Sequence, residues 1–355
     1  LCTVAVLGAL IGVSELAERV RGVRRLARHP VVFGLALGVY ATSWTLYGSV
    51  GYASTSGLDF LAVYLGPTLS CLAIPLLWLP IARVVRRRRL GSVADLLAFR
   101  FDSPALGAAV TLWLLVSLTP YLALQTRALS LAAGQLAGPT APDWLGPLYA
   151  GVVGAFTLVL GSRYVQPRRQ QAGLVVTLAT EALIKLVAML VVGTAILIEA
   201  FGGIEGLVAW TREHPEVLDQ MMSTGHRPQF PMVVVLAGLA AFLLPRQFHV
   251  AFVERPDERS LTHAMWTLPL FLLILNLPVL AVLWGGQVLV PEVAPDLYLV
   301  AASSHPALRL LALMGGVAAS SAMILVGSIA LSGMVVTHLV VPLRSSGLGP
   351  AAISR

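Results

Sequence analysis

Glu181 and Lys185 stand four residues apart inside the apolar run Ala179 to Ala188. On a helix that spacing puts an acid and a base on one face, one turn apart, where they can neutralise each other. Each alone inside a lipid-spanning segment costs about 2.5–3.5 kcal/mol. The pair therefore reads either as a packing device or as a gate or coupling pair. A second cluster, Arg246, Gln247 and His249, follows Pro245 directly. The proline removes a helix hydrogen bond, and polar side chains beside such a break are candidates to line a cavity. An imidazole there could also titrate near neutral pH. A third group is Tyr40, Ser43 and Trp44, with the backbone at Ala41, inside Gly38 to Gly48. It places hydroxyls and glycines at mid-membrane depth. Gln125 joins this set as a candidate lining residue, and Arg127 beside it is placed to snorkel toward the outer face. Ser320 and Ser321 are candidate ion ligands, although serines in membrane helices usually satisfy local carbonyls or pack closely.

No HExxH, no GxSxG between strand and helix and no GxxxxGK[ST] occurs. No catalytic constellation and no metal-ligand spacing is expected. Cys2 and Cys71 lie in apolar runs and read as small buried hydrophobes.

The elements that hold these residues follow from composition. Of 355 residues, 57% are hydrophobic and 12% charged, about half the charge of a soluble globular chain, and mean hydropathy is +0.84. This excludes a disordered tail, a secreted disulfide scaffold and an ordinary soluble enzyme. It predicts a polytopic membrane helix bundle, with the lipid bilayer as its first partner. A bilayer core needs about 20 apolar residues per helix. Nine such segments are predicted, roughly 1–16, 31–53, 59–83, 105–136, 146–162, 171–201, 230–253, 264–286 and 307–343. The last is too long for a straight span. Both ends read as cut, the first segment being the remainder of an extra N-terminal helix.

Charge placement sets the orientation. The loops 17–30, 83–104 and 163–170 hold most of the Arg residues; Arg255, Arg259, Arg344 and Arg355 fall on the same side. Arg212, Arg227 and Arg309 fall on the other. The Arg-rich side is predicted to be cytoplasmic, so residue 1 is extracytoplasmic and 344–355 a cytoplasmic tail in the inner (plasma) membrane. The net charge of +7 is explained by this rule, and no nucleic-acid partner is predicted. Ser92 to Asp95 is predicted to cap a short cytoplasmic helix, Leu96 to Phe101. The outer loop 202–229, with His214 and His226, reads as a surface element, and Arg86 to Arg89 as a lipid-headgroup contact.

Counted from residue 31, the irregular stretches fall on the first and sixth helices. Broken helices at matching positions of two halves point to a transporter with inverted repeats; a proline kink and a small-residue packing face are the simpler alternative.

The stretch GVYATSWTLYGSVGYASTSG (Gly38 to Gly57) resembles the first core helix of the sodium:solute symporter family, and SVADLLAFRF (Ser92 to Phe101) its loop after the second. LPRQFHVAFVE (Leu244 to Glu254), ATEALIKLVA (Ala179 to Ala188), LALQTRA (Leu122 to Ala128) and ALSGMVVTHLVVPL (Ala330 to Leu343) resemble the symporter-like input region of CbrA-type sensor histidine kinases. The resemblance implies an all-α, LeuT-like fold truncated at both ends. Its first five-helix repeat would be 31–201, followed by the outer loop 202–229 and an incomplete second repeat at 230–343. It implies a small solute bound between the first and sixth helices, an amino acid and histidine in particular. It further implies a downstream kinase, which alone would use ATP, and a cognate response regulator. A fragment of a plain sodium- or proton-coupled symporter is the alternative. The sequence departs from the sodium-coupled pattern, with Tyr40 where the family often has aspartate. The hydroxyl pair on the eighth helix falls at Ala318 and Ala319, beside Ser320 and Ser321. This argues against classical sodium coupling and leaves proton coupling, uncoupled passage and pure sensing open.

Overall fold

The computed structural model describes residues 2–138, 142, 144–164, 171–223, 229–254 and 257–343. Arg168, Arg169, His226, Arg227, Arg255 and the tail 344–355 with Arg344 and Arg355 lie outside the described residues. Around a largely apolar core, large apolar side chains also face outward while a few ionisable ones are wholly buried. Leu76, Trp113 and Leu158 are 78%, 75% and 74% exposed, whereas Glu181 and Lys185 are 0% exposed. An apolar exterior, with ionisable groups turned inward, is what lipid as solvent demands.

The chain opens with α1 (Cys2–Arg19) and the short α2 (Arg21–Leu26). The next helix, α3 (Pro30–Ala36), starts on a proline and tightens into a 3₁₀ turn over Leu37–Tyr40. There it breaks. Ala41 is extended, with φ −74° and ψ 109°, and the chain resumes as a π-turn, Trp44–Gly48, and α4 (Ser49–Ser56). Gly57, at φ +52°, ends α4 and opens a 3₁₀ turn (Gly57–Leu61) into α5 (Ala62–Leu72). A π-turn at Ile74–Trp78 leads to α6 (Leu79–Arg88).

The cytoplasm-assigned helix is α7 (Val93–Phe101). It begins one turn before the expected Leu96, because Ser92 is itself the cap, its Oγ accepting from Asp95 N at 3.1 Å. The long α8 (Pro104–Ala137), α9 (Leu145–Gly161) and α10 (Ala172–Phe201) follow. The segment after α10 carries α11 (Ile204–Glu213) and α12 (Pro215–Ser223). The second irregular helix is α13 (Phe230–Leu243), which breaks at extended Leu244 and continues as α14 (Pro245–Phe248) and a π-turn, His249–Val253. The rest is α15 (Glu258–Asn276), α16 (Val279–Leu289), α17 (Tyr298–Ala301) and α18 (Pro306–Val335), extended by a π-turn at Val336–Val340.

Both predicted breaks are present, bending the chain by 74° and 47°. Four helices among the described residues are long and apolar enough to cross a bilayer, or six with each bent pair as one span. Helices cover all nine predicted runs, and three of them do not stand as separate spans in that count of long apolar helices, for local reasons. The helix α1 ends in Glu15, Glu18 and Arg19, α9 has 17 residues, and the π-turn interrupts 59–83.

Packing is reciprocal. The helix before the first break, α3, lies along α15, and the helix before the second, α13, lies along α5. Each broken helix is thus cradled by the helix that follows the other break. Behind them α10 packs on α18 and α1, and α8 on α18. Small residues permit the close approach. A Cβ at Gly66 of α5 would overlap the Val234 carbonyl of α13, and one at Gly38 would meet Phe271 and Ala182 at 3.0 and 3.2 Å.

Candidate functional site

The first break releases main-chain carbonyls. In an unbroken helix Ala41 O would accept from Thr45 N, but Thr45 N donates to Thr42 O at 2.9 Å. A buried carbonyl without a donor is costly. Here the donor comes from another helix: Lys185 Nζ donates to Gly38 O and to Ala41 O, both at 2.8 Å. Glu181 and Lys185 are therefore charge neighbours without a direct contact. No ion pair joins them among the described residues, because the broken helix offers the ammonium two carbonyls. Glu181 Oε1 instead accepts from Ser321 Oγ at 2.7 Å, and Oε2 is buried without a hydrogen-bond partner.

Three other predicted residues meet just beyond the break. Gln125 Oε1 of α8 accepts from Ser43 N at 3.2 Å and Ser43 Oγ at 2.8 Å. Ser320 Oγ approaches Gln125 O at 3.4 Å. Ser320 and Ser321, adjacent in sequence, therefore serve different neighbours. The hydroxyl of Tyr40 donates to Val63 O at 2.9 Å, and Trp44 packs beside Tyr52 and Tyr64, with ring centroids 6.0 and 6.4 Å away. Arg127 is exposed, in keeping with snorkelling.

At the second break Arg246 is 3% exposed and Gln247 0%. The guanidinium lies 5.3 Å from the Tyr121 ring centroid, a cation–π distance. Its Nε and Nη1, and Gln247 Oε1, have no hydrogen-bond partner. Gln247 Nε2 reaches toward Leu37 O at 3.5 Å, a long contact that links the two breaks. His249 departs from the other two. Its Nε2 is 3.2 Å from Glu254 Oε1, within ion-pair distance but not aligned as a hydrogen bond. Glu254 Oε2 accepts from Gln171 N, just ahead of α10, at 2.9 Å.

Sequence reasoning missed Glu254, Tyr121 and the contact of His338 Nε2 with Asp95 Oδ1 at 2.6 Å. Helical spacing carried a signal for two of them. Tyr121 is one turn before Gln125, and Glu254 ends the same motif as His249. The His338–Asp95 contact joins residues 243 positions apart, which no local pattern reveals. The predicted loop Arg83 bonds Glu258 at 3.0 Å, holding α6 to the start of α15.

No protein-family model matches the chain. It is 26% identical over 275 residues to an uncharacterized symporter of Bacillus subtilis, YhjB, covering 75% of this chain. The chain spans about half, 52%, of that relative's length. Its backbone superposes on a Na+-coupled sialic acid symporter, solved substrate-bound and outward-open with a novel Na+ site. The TM-score is 0.71 at 14% identity, over 96% of this chain and 74% of that one. The chain is thus a multi-helix bundle with a LeuT-like symporter fold.

Proposed function

We propose that the chain binds a small solute between its two broken helices and carries it across the bilayer. In this reading Tyr40, Ser43, Trp44, Gln125, Arg246, Gln247 and His249 form or support the solute site, within repeats at 31–201 and 230–343. The carrying observation is Arg246, a buried guanidinium whose Nε and Nη1 lack partners. An uncompensated buried cation costs several kcal/mol, and a solute carboxylate would offset that. Gln247 Oε1, equally buried and unpartnered, could accept from an ammonium. A carboxylate and an ammonium together describe an amino acid. Histidine is the first candidate, from the motif resemblance.

The same resemblance supports a place upstream of a sensor histidine kinase that uses ATP and passes phosphate to a response regulator. The N-terminus would be extracytoplasmic and the C-terminus cytoplasmic, by the positive-inside distribution of Arg.

The test is calorimetric titration of amino acids, histidine included, into the purified full-length protein. Binding is expected, and Arg246→Ala is expected to weaken it by tenfold or more, about 1.4 kcal/mol. Folded protein that binds no amino acid, or binds equally well after Arg246→Ala, would overturn the reading. Ligand-dependent autophosphorylation would separate the sensor from a plain symporter.

A further inference from the structure

The corner between α6 and α7 carries positive charge that no described carboxylate neutralises. Residues 86–102 hold five arginines, Arg86 to Arg89 and Arg100, against two aspartates. All five arginines are exposed, and none forms an ion pair among the described residues. Asp95 is engaged elsewhere: its Oδ2 accepts from Gly91 N at 2.8 Å, and its Oδ1 meets His338 Nε2 at 2.6 Å. Asp102 caps the far end of α7 and is exposed. Arg89 ends α6 at φ +55°, a left-handed conformation uncommon for a residue with a side chain. The chain turns there, and Phe99 comes to lie beside Arg88, whose guanidinium is 5.0 Å from the ring centroid. Arg100 lies 5.6 Å from the Phe101 ring, also within cation–π range. Both rings face outward, 44% and 62% exposed.

We propose that this corner is a binding site for the headgroup of an anionic phospholipid. Its depth follows from the flanking helices. Leu76, Leu77 and Val84 are exposed ahead of the arginines, and Leu112 and Trp113 of α8 are exposed beyond α7. The apolar, lipid-facing surface ends where the guanidiniums begin, which is the level of the headgroups. A guanidinium presents a planar fork of donors that matches a phosphate, and clustered arginines at this level attract anionic lipid. A charge run alone gives diffuse attraction. Here α7 adds a further arginine and two exposed rings, which meet the glycerol and upper acyl chains beside the phosphate. Those rings offer a soluble anion nothing, and they decide for a lipid over free phosphate. The helix that carries them is held in place. Ser92 caps it, Val93 and Ala94 bury its other face, and Asp95 ties it to His338 at the end of α18. The inference does not depend on the solute site proposed above.

The experiment is thermal unfolding of the full-length protein in detergent, with phosphatidylglycerol, phosphatidylcholine of the same acyl chains, or inorganic phosphate added. Phosphatidylglycerol is expected to raise the unfolding temperature by about 2 °C or more above phosphatidylcholine, and inorganic phosphate to leave it unchanged. Arg86→Gln, Arg87→Gln, Arg88→Gln and Arg89→Gln together should abolish that rise. Arg21→Gln, Arg24→Gln, Arg25→Gln and Arg28→Gln together remove the same charge from another exposed segment and should retain it. No rise with phosphatidylglycerol, or an equal rise with phosphatidylcholine or inorganic phosphate, would overturn the proposal, and those arms need no variant. Equal loss of the rise in both arginine variants would overturn it too, because net charge would then account for the effect.

Discussion

Glu181 and Lys185, one turn apart on α10, do not bond each other; each reaches to a different helix. Lys185 holds the carbonyls of Gly38 and Ala41, and Glu181 accepts from Ser321 of α18. One turn of α10 thus fastens both the first broken helix and α18. Ser321→Ala removes the one hydrogen bond to this carboxylate and leaves both oxygens without a side-chain donor. The expected cost is about 1–3 kcal/mol, read as a lowered unfolding midpoint in detergent. A change under about 0.5 kcal/mol would show that Ser321 contributes little.

Gln125 accepts twice from Ser43, from backbone and side chain. Gln125→Ala should strand the backbone N–H of a residue at the break. We expect a loss of about 1–3 kcal/mol together with faster amide exchange over residues 41–48. Unchanged exchange there would argue that Gln125 does not hold the break.

Two glycine substitutions of the same chemistry should differ. Gly66→Ala would drive a methyl into the backbone of α13 and cost about 1–3 kcal/mol. Gly154→Ala, in α9, meets nothing within 4 Å and should be neutral or stabilising by about 0.5–1 kcal/mol through helix propensity. Equal effects in thermal unfolding would remove close helix approach as the reason for Gly66.

The Arg83–Glu258 pair is bidentate but exposed, with side chains 53% and 42% accessible. Arg83→Ala is expected to cost less than about 1 kcal/mol, and less still in high salt. A larger, salt-insensitive loss would mean the pair is shielded by something beyond the chain.

His249 is buried and set against Glu254, whereas His214, just after α11, stacks on Trp210, with centroids 4.7 Å apart. His249→Ala should therefore weaken solute affinity more than His214→Ala. Calorimetry giving equal affinities would remove His249 from the solute site.

How much was legible before the structure can be argued from these same residues. The breaks at 41–43 and 244 were readable because glycine, hydroxyl and proline signals act over a few positions. Glu181 and Lys185 were readable as buried charges, since nothing else ionisable lies in that run. Their partners were not. Spacing on one helix favours the i, i+4 pair, and only tertiary packing shows that a broken helix 144 residues away competes for the ammonium. The neighbour of His249 was equally hidden, because Glu254 also bonds Gln171 across a sequence separation of 83. The nine apolar runs were legible from hydropathy, whereas the π-turns and terminal charges inside them were not, because average hydropathy smooths them over.

The contact at Gly66 sets the mechanics of the bundle. With α5 and α13 touching backbone to backbone, neither can slide along or roll on the other without a collision of main-chain atoms. They pack as one unit, with α5 following the bend at Ala41 and α13 preceding the bend at Leu244. The glycine contact is what lets the two helices lie this close, and a side chain there would push them apart.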